Sequence, residues 1–289
     1  MTTVADVNIS KREKTIFPWT DPLTVEEAAN HCKSEEWDKS KDEEMETLHK
    51  MSFSELVRRP KGKRIIKSKW IFKTKWRENP YDDCTPRGSS TGETKKNFVA
   101  TRFKARLVAQ GFGLQEGRDY KIAYAGVLGT DSARALVCFG AYYGYEIFSL
   151  DFQNFYITGK LDHDVFTKQA PGYEVKGKED WVYLLKKGQY GLPEAGYVAQ
   201  RGLIKVMTEK AGFRQRDSEP LVFAKLGDKK HLRGGFHVDD FIGIGNSKAM
   251  FEEMVKVLAA NDLKSKTSSN PENFLGVTYE YFEDHILLH

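Results

Sequence analysis

The stretch GGFHVDDFIGIG, residues 234–245, sets two adjacent aspartates, Asp239 and Asp240, inside an otherwise apolar run. Acidic doublets are ordinarily solvated turn or helix residues, and this chain holds bland examples in Asp82-Asp83, Glu43-Glu44 and Glu252-Glu253. The doublet at 239–240 differs because apolar strand-forming residues flank it on both sides, which makes it the turn of a hairpin.

Working outward, LVFAKL and HLRGGFHV read as two strands joined by the polar turn GDKK, and FIGIG as a third beyond the doublet. Ser247 then caps a helix whose Phe251, Met254, Val255 and Leu258 recur at helical spacing. NFLGVTYEYFEDHILLH closes the chain as two strands around a Glu283-Asp284 turn. Upstream, Pro193 suits the first turn of a helix running to about Gly212, with Leu203, Ile204, Met207 and Ala211 as its inward stripe. Before it, EIFSLDF is a short apolar strand carrying Asp151 near its C-terminal end. In order, residues 146–279 read strand, helix, strand, strand, helix, strand. That order predicts an α+β fold of the split βαβ kind, an antiparallel sheet with helices on one face. Such a sheet allows Asp151 to neighbour the doublet, although 88 residues separate Asp151 from Asp239.

The N-terminal half has a different character. After a polar leader over residues 1–20, TVEEAANHC starts a helix with Thr24 as N-cap and Glu27 completing a capping box. A second helical pattern over Trp37–Met51 turns Trp37, Met45 and Leu48 inward. KSKWIFKTKW, residues 67–76, alternates with period two, Trp70, Phe72, Thr74 and Trp76 on one face and Lys67, Lys69, Lys73 and Lys75 on the other. NFVATRFKARLVAQGF resumes the alternation with Arg102, Lys104 and Arg106 aligned, after a turn-rich loop at 78–97. The two strands predict a basic β-hairpin. DSARALVCFGAYYGYE adds a helix capped at Thr130 or Asp131 and stopped by Gly144.

Charge follows this division. Residues 61–106 carry 14 Lys and Arg against 4 Asp and Glu, a net +10 that leaves −6 for the remainder of a chain whose total is +4. A basic module on an acidic body is the footprint of polyphosphate contact, and a merely solvated basic surface accounts for it equally well. The chain's 289 residues allow one or two domains. No apolar run approaches the ~20 residues of a membrane helix, and the N-terminus lacks a secretory signal, so an intracellular protein without membrane contact is expected. Cys32, Cys84 and Cys138 are odd in number and show no metal-ligand spacing, which predicts free thiols.

If Asp151 meets Asp239 and Asp240, three carboxylates crowd one end of a sheet. Like charges there call for raised pKa values or bound divalent cations, and hard oxygen donors suit magnesium. Paired magnesium ions activate an attacking 3′ hydroxyl and stabilise a departing pyrophosphate.

The motifs KARLVAQGF, GRDY, SAR, SLDFQNFYITGKL, QAPGY, QYGLPEAG, HVDDFIGIG and NFLG, in this order, resemble the reverse transcriptase of copia-type retrotransposon Pol polyproteins. The likeness extends from about Asp21 to the C-terminus, with TVEEA, PKGKRIIKSKWIFK and EVKGKED also in the family manner. It implies a right-hand polymerase, with an N-terminal helical segment at 21–60, fingers at 61–145 and a palm at 146–289. It implies Asp151, Asp239 and Asp240 as metal-binding carboxylates, with the Phe152 carbonyl as a further ligand. Two magnesium ions are the implied cofactors, with manganese as an alternative. Tyr156 falls at the aromatic gate that rejects a ribose 2′ hydroxyl; its bland reading is a core tyrosine. Lys104 and Arg106 fall where the fingers grip the triphosphate, against an exposed basic strand face. Phe274, Leu275 and Gly276 start the primer-positioning hairpin, against an ordinary core strand with a glycine. His237 falls beside the primer end, against a simple hydrogen-bond partner.

Several positions depart from the family pattern. His237 stands for tyrosine, Glu194 for a nucleotide-contacting glutamine, and Phe155 for a small residue. Tyr124-Ala125-Gly126-Val127 replaces a Phe-x-Pro-Val pattern, and the Pro-Arg-Ala-Trp expected after Ala195 is missing. A carboxylate at 194 would add negative charge beside a triphosphate. The expected function is RNA-directed DNA polymerisation on an RNA or DNA template with primer and deoxynucleoside triphosphates. The alternative is a decayed or recruited nucleic-acid-binding remnant. The resemblance further implies a piece of a polyprotein with integrase and ribonuclease H as partner domains. It places the chain in the cytoplasm, within a virus-like particle, or in the nucleus, and not among secreted proteins.

Overall fold

The computed structural model describes residues 20–78, 98–282 and 285–289. The leader through residue 19, nearly all of the loop expected at 78–97, and the Glu283-Asp284 turn lie outside the described residues. In chain order the elements begin with helix α1 (Val25–Ala29), α2 (Ser34–Lys50), strands β1 (Ser54–Val57), β2 (Ile65–Ile66), β3 (Ser68–Glu78) and β4 (Phe98–Ala109), and α3 (Thr130–Tyr143). Next come β5 (Glu146–Phe152), β6 (Lys160–Lys168), β7 (Val182–Lys187), α4 (Ala195–Lys205), β8 (Arg214–Gln215), β9 (Val222–Leu226), β10 (His231–His237) and β11 (Asp240–Gly245). The chain closes with α5 (Lys248–Ala259), β12 (Ser265–Ser269), β13 (Asn273–Phe274), β14 (Val277–Tyr281) and β15 (Ile286–Leu288).

These elements form two compact units, each drawn from more than one stretch of the chain. The smaller contains Met1–Glu46, Lys69–Leu107 and Ala170–Tyr173, and the larger Thr47–Ser68, Val108–Gln169 and Glu174–His289. In the smaller unit β3 and β4 pair as a two-stranded ribbon. Trp70, Phe72 and Thr74 are buried, as the alternation requires, and Trp37 of α2 meets Phe72 and Phe103 edge-on at 5.3 and 4.8 Å. Helix α2 also satisfies the edge of β4. Ser40 Oγ donates to the Phe103 carbonyl at 3.1 Å and accepts from the Ala105 amide at 2.7 Å, while Glu44 accepts from the Leu107 amide at 3.4 Å. Side chains at i and i+4 share a helix face, so one stripe of α2 supplies the partners a bare edge strand lacks.

The larger unit is built on an antiparallel six-stranded sheet of order β12-β5-β11-β10-β9-β8. Successive side chains on a strand face opposite ways, and both faces are covered. Phe148, Leu150 and Phe152 enter one core with Phe236, Phe241, Leu203 and Met207, and with Phe251, Met254 and Leu258 of α5. Ile147, Ile242 and Ile244 enter another with Ala133 and Val137 of α3, Phe274 and Tyr279. Helices α4 and α5 share one face as expected, but α3 lies on the opposite face. It can approach because residue 140 is glycine: a Cβ there would fall 2.8 Å from Ile244 Cγ2.

Three further details correct the sequence reading. The strand that follows α5 and pairs with β5 is β12, SKTSS, whereas NFLGVTYEY, read as the last strand of the order, supplies β13 and β14 of a separate sheet completed by β15. Strands β6 and β7, unforeseen, intervene between β5 and α4 and join a second sheet, β1-β7-β6-β2. Pro193 precedes the N-cap Glu194 instead of standing in the first turn of α4. The predicted caps Thr24 and Ser247 do accept from the Glu27 and Met250 amides.

Candidate active site

Strands β11 and β5 pair so that Asp240 lies directly opposite Asp151. Directly opposed residues project to the same face of a sheet, here the face of Ile147, Ile242 and Ile244. Asp239 occupies the turn, and its carbonyl accepts from the Phe152 amide at 2.8 Å, which ties the turn to the end of β5. The two-residue connection Val238-Asp239 links His237 to Asp240, which are paired in register. Val238 has φ of 58°, a backbone state that a β-branched residue rarely adopts and that tends to persist where surrounding structure enforces it.

The acids act on one another. Burial pushes the Asp240 carboxyl up to about 6, with Asp239 and then Asp151 adding to the rise and His237 opposing it. A carboxylate whose charge is disfavoured by burial and by like-charged neighbours would be relieved by a divalent cation, so the donor set fits a hard ion held by oxygens. Among the described residues, no three His, Cys, Asp or Glu side chains converge closely enough to ligate an ion as they stand. The structure therefore brings Asp151, Asp239 and Asp240 to one strand end without drawing their carboxylates into a finished ligand shell.

Two cavities flank this strand end. One, of about 200 Å³, is lined by Asp151, Asp240, Lys266 and Phe274 among others. Phe274 is buried, and Leu275 and Gly276 form the two-residue turn of the β13–β14 hairpin with φ of 50° and 78°. Positive φ at both positions is what a tight hairpin turn of the favoured hand demands. Gly276 is needed for that conformation alone, since a Cβ there would meet nothing within 4 Å.

The second cavity, of about 290 Å³, is lined by Tyr156, Val238, Pro193, Gly196, Gln200, Ala123, Ala125, Gly126 and Val127 among others. Tyr156 belongs to a 3-10 turn, Phe155–Ile157, and its ring stands 5.4 Å from that of Tyr190. Two glycines press this turn into place. A Cβ at Gly159 would fall 2.3 Å from the Ala199 amide nitrogen of α4, and one at Gly188 2.6 Å from the Tyr156 carbonyl. Tyr156 and the aspartate turn thus border one space, which neither the residue type nor its position in sequence reveals.

His237 is a hydrogen-bond partner: its Nδ1 donates to the Leu128 carbonyl at 3.0 Å, which fixes the ring. Glu194 does not line the cavity beside Tyr156. It is buried, with Oε1 3.3 Å from His163 Nε2, and His163 Nδ1 is 3.1 Å from Asp162. Burial raises the Glu194 carboxyl, an effect His163 opposes and Asp162 reinforces. The carboxyl at 194 thus faces His163 of β6 at ion-pair distance, without a hydrogen bond between them, and not the cavity beside Tyr156.

Lys104 and Arg106 belong to the smaller unit, on β4 near Glu44 of α2. Burial depresses Lys104, as do Arg106, Arg102 and Lys75, while Glu44 works against them. Glu44 is itself raised by burial, in spite of the Leu107 amide, Arg106 and Lys104. Lys104 and Arg106 are therefore half-buried with Glu44 as counter-charge, while Lys67, Lys69, Lys73, Lys75 and Arg102 are exposed.

Sequence reasoning passed over Val238, His163 and Gln200. The departures at 124–127 and after Ala195 fall on the segment and helix that Gln200 joins.

The chain is thus a mixed α+β protein that gathers acids at a hairpin turn of its larger unit and carries a basic two-stranded ribbon in its smaller one. The chain belongs to the reverse transcriptase (RNA-dependent DNA polymerase) family, whose model matches residues 52–288. Membership implies a palm-type polymerase fold. The Retrovirus-related Pol polyprotein from transposon TNT 1-94 of Nicotiana tabacum is 29% identical over 238 residues, 81% of this chain and 16% of that protein. The Retrovirus-related Pol polyprotein from transposon RE2 of Arabidopsis thaliana is 27% identical over 221 residues, 75% of this chain and 14% of that protein. The chain thus spans about a sixth of the length of the curated relatives it matches, and the resemblance read from its motifs is borne out.

Proposed function

We propose that this chain extends a primer on an RNA or DNA template by transferring deoxynucleotides to the 3′ hydroxyl. The observation that carries this reading is the register Asp240 opposite Asp151, with the Asp239 carbonyl bonded to the Phe152 amide. Asp151, Asp239 and Asp240 would hold two magnesium ions, or manganese in their place, with the Phe152 carbonyl as a further ligand. Bound there, the ions would activate the hydroxyl and stabilise the departing pyrophosphate.

The chain's own residues do the positioning. Tyr156 receives the sugar of the incoming nucleotide against its ring in the cavity it shares with Val238. A ribose 2′ hydroxyl would meet that ring, which excludes ribonucleotides. Phe274, which lines the cavity shared with Asp151 and Asp240, and the adjoining turn residues Leu275 and Gly276 hold the primer terminus. His237, its ring fixed by Leu128, stands next to Asp240 in register and braces that end of the hairpin. Lys104 and Arg106 offer charge to the triphosphate. Integrase and ribonuclease H domains of a Pol polyprotein are the further partners of this reading, and a virus-like particle in the cytoplasm, or the nucleus, is its place of action.

Primer extension with the wild type, Asp151→Asn and Asp239→Asn tests the proposal. Magnesium-dependent incorporation by the wild type alone supports it, and equal incorporation by all three sinks it. Salt-sensitive duplex binding without any incorporation would instead favour a remnant that only binds nucleic acid.

A further inference from the structure

The cavity beside Tyr156 has walls of unequal construction. On one side the Tyr156 turn is pressed against α4 and the end of β7 through Gly159 and Gly188. On the other, residues 123–127 have no regular secondary structure. A few polar contacts tie this second wall down. The Gly126 amide donates to Gln200 Oε1 at 3.1 Å, and Gln200 Nε2 donates to the Gly126 carbonyl at 2.7 Å. Two residues on, the Leu128 amide donates to the Phe236 carbonyl at 2.8 Å, and the Leu128 carbonyl accepts from His237. The segment therefore bridges α4 to the strand that ends at the aspartate turn.

We infer that Gln200 is a positioning residue that latches this wall to α4 and so sets how tightly the cavity closes on the nucleotide sugar. The inference rests on the reading of the cavity as the nucleotide site. One side-chain amide meets both backbone groups of Gly126, as a neighbouring strand would, and glycine has no Cβ to restrict its φ and ψ once released. One turn earlier on the same helix, a Cβ at Gly196 would lie 3.4 Å from Ala125 Cβ and 3.5 Å from Tyr156 Cε1. Helix, segment and gate ring converge there, so a shift of the segment changes the space in front of Tyr156.

The test compares wild type with Gln200→Leu, which keeps the bulk and removes both hydrogen bonds, and Gln200→Glu, which keeps only the acceptor. Amide hydrogen exchange at Gly126 is expected to speed up about tenfold or more in the leucine variant and less in the glutamate variant. In primer extension the leucine variant is expected to raise KM for a deoxynucleotide about tenfold, with kcat changed less than about twofold. Its preference for deoxy- over ribonucleotides is expected to fall by about the same factor. Unchanged exchange at Gly126 overturns the latch. Faster exchange with unchanged selectivity overturns its role in the cavity. A wild type that incorporates nothing overturns the functional reading and the selectivity claim with it, while the exchange result still decides the latch.

Discussion

Two clusters of like charge occupy this chain, and they are stabilised in opposite ways. On β4, Lys104 and Arg106 share their surroundings with Arg102 and Lys75, yet buried Glu44 from α2 supplies a counter-charge and also accepts from the strand's own backbone. At the end of β5 and β11, Asp240 feels two acids and, against them, only His237, so its carboxyl is pushed up to about 6. The basic cluster carries its neutralising partner within the fold. The acidic one has less of that compensation among the described residues, and under the proposed function bound cations would supply it.

The sharpest way to break this contrast is to exchange Asp239 for Asn, for which primer extension is expected to fall by about a thousandfold or more. Thermal unfolding of the variant should stay close to wild type, because that side chain makes no hydrogen bond among the described residues.

Next in size is Glu44→Ala, which leaves the Leu107 amide and the basic pair without their buried partner; it should cost about 2 kcal/mol in denaturant unfolding. Glu44→Gln, which keeps an acceptor, should recover part of that loss.

A smaller effect belongs to pH. Asp240 holds its proton to higher pH in the folded chain than in the unfolded one, so its protonation favours the fold. In metal-free buffer that contribution is fully present below the ordinary carboxyl value of 3.8 and is lost as pH rises through about 6. Asp240→Asn should flatten this slope and stabilise the metal-free protein at pH 7 by about 1 to 2 kcal/mol, allowing for the residue's partial exposure. Magnesium should raise the melting temperature of wild type more than that of the variant. Smallest is Gly276→Ala, which forces a side chain into positive φ and should cost about 1 kcal/mol without abolishing extension.

Much of the central sheet is legible in sequence because its strands carry the alternation on their own. Phe148, Leu150 and Phe152 mark β5, and Trp70 and Phe72 mark β3. Strand β12 has no such mark. SKTSS is wholly polar and pairs through its backbone at the sheet edge. Strand β6 hides for a related reason: a register irregularity between Lys160 and Val165 interrupts its pairing where Asp162, His163 and Asp164 stand, so no clean period emerges. Of the candidate site, the acids and Tyr156 were readable from local motifs. The pairing of Glu194 with His163 and of Gln200 with Gly126 joins residues far apart in sequence, and only the tertiary fold brings those partners together.

The bare positions at 159 and 188 have a mechanical consequence. Because backbone meets backbone there with no room for a methyl group, the turn carrying Tyr156 is wedged between helix and strand like a keystone. Any opening of the cavity beside Tyr156 is then left to the opposite bank, and under the proposed function the aromatic ring would be a fixed reference surface for an incoming sugar.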